Sequence, residues 1–160
     1  MVKEKVEVED KNLDMVEAEF LNIRQSTVRS VEGGHIELQQ VGALSIDGDR
    51  VEVTQGAAVL MRGGNVSLNQ SIGVMVAGSE TGVNFSFVPV ALSAENSQVN
   101  KSAVGVIAAK DINSNNSASI LMIGKNINGN VTTLIDWRSA IAFGAVFGGV
   151  LGLLSLFKRR

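Results

Sequence analysis

Residues 31–70 read VEGGHIELQQVGALSIDGDRVEVTQGAAVLMRGGNVSLNQ, and within them one figure recurs at a step of 15. Ile36-Glu-Leu38, Val51-Glu-Val53 and Val66-Ser-Leu68 alternate apolar with polar residues, the period of a strand with one side in and one side out. Gly33, Gly48 and Gly63 keep the same step, and so do Val31, Ile46 and Met61. A fixed period of this length marks a repeat architecture, so the flanking sequence is expected to follow it.

Outward from that stretch the columns extend in both directions. Val6, Leu21, Ile36, Val51 and Val66 form one, and Val8, Ile23, Leu38, Val53 and Leu68 a second. Val16, Val31, Ile46, Met61 and Val76 form a third, and Gly33, Gly48, Gly63 and Gly78 a fourth. Between Asn84 and Asn100, close to Pro89, the register slips by one residue and then resumes with Ala109 and Gly124 in the glycine column. The repeat covers residues 6–135. Short strands, a regular glycine corner and a 15-residue step predict an all-β, single-chain β-solenoid of eight or nine coils. At about 4.8 Å per coil the rod would be on the order of 40 Å long. Glycine suits a corner because a sharp bend needs positive φ or close backbone approach.

The same period explains a cluster of Asn-x-Ser/Thr matches. Asn69, Asn84, Asn100, Asn115 and Asn130 form a column, with Ser71, Ser86, Ser102, Ser117 and Thr132 beside it. As isolated motifs these are glycan acceptors. Stacked every ~4.8 Å, branched glycans would collide, whereas stacked Asn amides can hydrogen-bond along the column as in other cross-strand ladders. The column is therefore expected to be an Asn ladder, and Asn65-Val66-Ser67 stands as an isolated match.

Composition limits the function classes. The formal charge is -2 and aromatics make up 4% of the chain, which argues against a nucleic-acid surface. Cysteine is absent, so disulfides and thiolate metal sites are excluded. The first 32 residues hold eight of the sixteen acids, and MVKEKVEVEDKNLDMVEAEF has no apolar core of a signal peptide. His35 beside Gly33-Gly34 reads as an exposed turn histidine, and Asp47-Gly48-Asp49 as a plain corner without the regular spacing of a calcium roll. Glu37, Glu52 and Glu80 read as solvent-facing strand positions. No nucleophile elbow or phosphate loop occurs, so neither an enzyme nor a cofactor or metal site is expected.

After Asp136 the character changes to WRSAIAFGAVFGGVLGLLSLFKRR. Ser139–Phe157 carries no charge over about 19 residues, close to the length needed to span a bilayer as a helix. Trp137 and Arg138 precede it and Lys158, Arg159 and Arg160 follow, as interfacial residues do. A buried core helix or solenoid cap is the alternative. Ala140, Gly144, Gly148 and Gly152 fall four apart, a small-xxx-small face suited to helix–helix packing. The expected organisation is therefore an N-terminal end (1–5), a β-solenoid (6–136) and a C-terminal transmembrane anchor (137–160).

Two resemblances bear on the role. The tail, through Trp137, Gly148, Gly149, Gly152, Leu153, Leu154, Arg159 and Arg160, resembles the C-terminal anchors of ElaB/YqjD-type bacterial inner-membrane proteins. That resemblance implies a single-pass inner-membrane anchor. The Gly-punctuated, Val/Ile-alternating coils resemble bactofilins, which implies a polymer-forming scaffold. The anchor and the strict 15-residue step depart from the bactofilin pattern. The expectation is a membrane-tethered scaffold rod with the lipid bilayer as partner, forming homo-oligomers or filaments or organising a protein partner, and binding no nucleic acid. A cytoplasmic body is expected, although Lys158-Arg159-Arg160 would by the positive-inside rule favour the opposite orientation. The alternatives are a binding module whose Ser/Asn/Thr face recognises a glycan or partner protein, and a surface-exposed stalk.

Overall fold

A computed structural model describes residues 5–133 and shows an all-β parallel solenoid of about 15 residues per coil. Its strands are β1 (Lys5–Glu9), β2 (Asn12–Arg24), β3 (Thr27–Gln39), β4 (Gly42–Thr54), β5 (Ala57–Asn69), β6 (Ile72–Asn84), β7 (Phe87–Asn100) and β8 (Ala103–Thr133). They pair in sequence order within one sheet, each with the next coil. Val6 lies on Leu21, Leu21 on Ile36, Ile36 on Val51 and Val51 on Val66, so the apolar columns of the sequence are stacks in space. The anchor expected over 137–160 lies outside the described residues. Among the described residues no helix is long and apolar enough to cross a membrane.

A shorter period lies inside the coil. In β4 the pairing with β5 omits Leu44 and Asp49, and the strand ends at Thr54, so ladder pairing breaks every fifth residue. Burial follows the same beat. Val41 and Ala43, Ile46 and Gly48, and Val51 and Val53 point inward in pairs, with Gly48 half-buried. Each coil is thus three short sides, Val41–Ala43, Ile46–Gly48 and Val51–Val53. They meet at corners Leu44–Ser45, Asp49–Arg50 and Thr54–Gln55. Such a tube holds about one layer of side chains, and fully buried Ile23, Ile36, Ile46, Met61, Leu68, Ile107 and Ile112 fill it. Burying each contributes roughly 1.5–3 kcal/mol.

The glycine column sits on the second side rather than at a left-handed bend. Gly33, Gly48, Gly63 and Gly78 do not take positive φ; among the described glycines only Gly129 does. Their lack of a side chain is needed for close approach, since a Cβ on Gly63 would stand 2.6 Å from the Gly48 carbonyl oxygen.

The register slip lies slightly beyond Pro89. Gly78 pairs with Ser93 but Glu80 with Asn96, which places one extra residue between Ser93 and Asn96 in β7. Pro89 itself falls where pairing skips, between Val88 and Val90, so its missing N–H removes no ladder bond.

Candidate functional site: the ladder corner

The third corner carries the left-handed backbone. Asp10, Gln25, Gln40, Gln55, Gln70, Phe85, Lys101 and Asn116 all have φ between 46° and 56°. This conformation is uncommon for residues with a Cβ. The neighbouring coils secure it: Gln40 N–H donates to the Thr54 carbonyl at 3.0 Å, and Gly42 N–H to the Ser26 carbonyl at 3.1 Å. The bend therefore leaves its amides satisfied, as a buried or half-buried turn must.

The middle residue of each stacked Asn-x-Ser match is this left-handed residue. In Asn84-Phe85-Ser86 the serine turns inward, and its hydroxyl donates to the Asn84 carbonyl at 2.7 Å. The same oxygen accepts the Ser71 N–H of the preceding coil at 3.1 Å. Ser71, Ser102 and Ser117 repeat the arrangement against Asn69, Asn100 and Asn115. Ser26 does so against Arg24, without an asparagine. The motif is a corner clasp: a side flank, a left-handed residue, and a hydroxyl that replaces the ladder partner lost at the bend.

Two amide ladders run outside the clasp. Asn100 Nδ2 donates to Asn84 Oδ1 at 2.9 Å, and Asn115 Nδ2 to Asn100 Oδ1 at 3.3 Å. Asn69 lies on Asn84 in register, and Asn130 is exposed on the last described coil. Within the column the hydrogen-bonded run thus comprises Asn84, Asn100 and Asn115. A second ladder, Gln25–Gln40–Gln55–Gln70, has amide contacts of 3.1, 3.4 and 3.2 Å and occupies the left-handed positions themselves. Its signal was present in the sequence as four glutamines at the same step, but glutamine is not a usual left-handed residue, so the column does not announce a bend.

Elsewhere the titratable groups lie on the outer surface of the coils. His35 lies within β3 rather than in a turn, with Nε2 3.2 Å from Glu37 Oε1 and its ring against Phe20. Asp47 and Asp49 line an open groove over Gly33, Gly48 and Gly63 together with Glu17, Glu19 and Glu32. Among the described residues no three His, Cys, Asp or Glu side chains are grouped so as to hold a metal ion. The interior becomes polar beside the bulge, where buried Thr81 Oγ1 lies 2.6 Å from Ser93 Oγ and 3.0 Å from Ser97 Oγ.

No protein-family model, curated protein or solved structure matches this chain. The likenesses to bactofilins and to ElaB/YqjD-type anchors therefore rest on the residues quoted for them. Trp137, Ala140, Gly144, Gly148 and Gly152, the residues assigned to membrane anchoring and helix packing, lie outside the described residues.

Proposed function

We propose that this protein is a membrane-tethered scaffold: a β-solenoid rod fastened by residues 137–160 to a bacterial-type inner membrane, its body on the cytoplasmic side, that self-associates or organises partner proteins there. The observation that carries the reading is the parallel register running from β1 to β8, which makes a rod of near-identical coils. Such a rod presents the same groups at about 4.8 Å intervals, suited to holding partners in fixed order. The uncharged run Ser139–Phe157 supports tethering, and the small-residue face Ala140–Gly144–Gly148–Gly152 supports association between anchors. The role is non-enzymatic in this reading.

Detergent-solubilised full-length protein tests it by size-exclusion chromatography with negative-stain imaging. Oligomers or filaments are expected, and Gly148→Leu with Gly152→Leu should weaken anchor-driven ones. A monomeric rod that alkaline extraction releases from membranes would refute both tether and scaffold. Digestion of the body by protease added to intact cells would refute the cytoplasmic placement in favour of a surface stalk.

One observation favours the binding-module reading. On the third side Gly82 leaves a shallow depression walled by Glu52, Ser67, Glu80, Asn96 and Gln98, groups able to hydrogen-bond a glycan or a peptide backbone. A monomer that retains a ligand through purification would support it.

A further inference from the structure

The outside of the rod is two-faced, and the division sharpens along its length. The relevant positions are the outward residues of the first two sides and the corner between them. In β2 to β5 these positions include charges: Glu17, Arg29, Glu32, Asp47 and Arg62. From Ile72 to Ile123, over the last four coils, none of them is polar. Ile72, Val74, Phe87 and Ile123 there are 56%, 48%, 51% and 56% exposed. Across the same four coils the outward third side reads Gly82, Gln98, Asn113 and Asn128. Scattered exposed apolar residues need no explanation, but a continuous one-sided patch does.

Three candidates for its occupant follow from the chain itself. The segment 139–157 is apolar on every side of any helix it forms, so laying it on the ridge would leave its other flank in water. A second rod would cover only one of the two sides, because the apolar surface is a convex corner from which the sides diverge. A fluid hydrocarbon boundary accommodates both sides of a ridge. The patch also lies in the coils nearest the uncharged run and fades toward the opposite end, as proximity to a bilayer requires. Its one-sidedness fixes the attitude: an upright rod would immerse Gln98 and Asn113 as deeply as Val90 and Val106.

We propose that the ridge formed by the last four coils is a lipid-contacting surface, on which the rod lies along the bilayer rather than standing from it. The inference rests on the tethering reading for the nearness of the membrane, and it adds that lipid is bound by the solenoid itself. Over about four coils the contact would run for roughly 19 Å. A rod lying down directs its third side, with the Asn ladder at its edge, away from the membrane toward partners.

The chain has no cysteine, so single cysteines can be introduced for labelling without background. The full-length protein would be labelled with a polarity-sensitive fluorophore at Val74→Cys, Gln98→Cys or Val146→Cys. Each would be reconstituted into phosphatidylcholine vesicles with or without bromine on the acyl chains. The expected result is at least a twofold loss of emission with brominated lipid at position 74, none at position 98, and strong loss at position 146. Quenching at 146 but not at 74 overturns the lipid contact while leaving the tether standing. Quenching at 74 but not at 146 upholds the contact and overturns the tether. A blue-shifted but unquenched label at 74 means that a protein surface covers the ridge, and equal quenching at 74 and 98 means that the rod has no lipid-facing side; either overturns the inference.

Discussion

Replacing Gly63 with alanine should cost far more than replacing Gly42, although both glycines lie at extended positions in neighbouring coils. A methyl on Gly63 would stand 2.6 Å from the Gly48 carbonyl oxygen, 3.1 Å from Val66 Cγ2 and 3.4 Å from Val51 Cγ2. The first contact is with backbone, and Gly48 is the ladder partner of Gly63, so it cannot rotate away. Restoring ordinary contact requires the coils to part locally, which stretches roughly two inter-coil hydrogen bonds worth about 1 kcal/mol each. Overpacking adds about 1–3 kcal/mol, and the lower entropy of the unfolded chain returns about 0.4–1 kcal/mol. The net expectation for Gly63→Ala is a loss of about 2–5 kcal/mol. At Gly42 the nearest atoms to a new Cβ belong to the Thr27 side chain at 4.0 Å, an ordinary van der Waals contact. Gly42→Ala should therefore be neutral or gain about 0.5 kcal/mol. Urea unfolding of both full-length variants, followed by circular dichroism under the same detergent conditions, measures the difference. Equal midpoints would refute the argument that the glycine column is set by coil-to-coil approach.

Other substitutions probe the corner and the core. Ser86→Ala removes the acceptor of the Ser71 N–H and the donor to the Asn84 carbonyl, so a loss of about 1–3 kcal/mol is expected together with faster hydrogen exchange at the Ser71 amide. Gln55→Val places a β-branched residue at φ 54° and breaks the glutamine ladder on both sides; a loss of about 1–2 kcal/mol should appear in the same unfolding assay. Buried Ser114 Oγ has no hydrogen-bond partner among the described residues, so Ser114→Ala should change stability by less than about 0.5 kcal/mol or increase it.

The stacked columns were legible because a solenoid converts sequence period directly into contact. Val51 and Val66 need no tertiary reasoning once the step of 15 is seen, and the register confirms them as neighbours. The bends were less legible. Glycine is the usual residue of left-handed turns, yet Gly33, Gly48 and Gly63 are extended, and Gln25, Gln40, Gln55 and Gln70 take that backbone instead. Inter-coil hydrogen bonds at the corner override the intrinsic preference of glutamine. The five-residue beat within the coil was hidden because its inward pairs mix Val, Ala, Gly, Ile and Ser rather than repeating one residue. The outer ridge is hidden in the sequence for a related reason. Alternation predicts that residues between apolar positions face solvent and are polar, and from Ile72 to Ile123 the outward positions of two sides are apolar as well.

Distances between spin labels test the stacked-coil geometry most directly. Asn22, Glu37, Glu52, Ser67, Gly82, Gln98 and Asn113 follow one another up the third side in register. Cysteine labels at Asn22 and Ser67 are three coils apart, and labels at Asn22 and Asn113 are six. Electron paramagnetic resonance should give separations of about 14 Å and about 29 Å respectively, a doubling set only by the number of coils. Separations that do not grow with coil number, or that are equal for the two pairs, would contradict the solenoid.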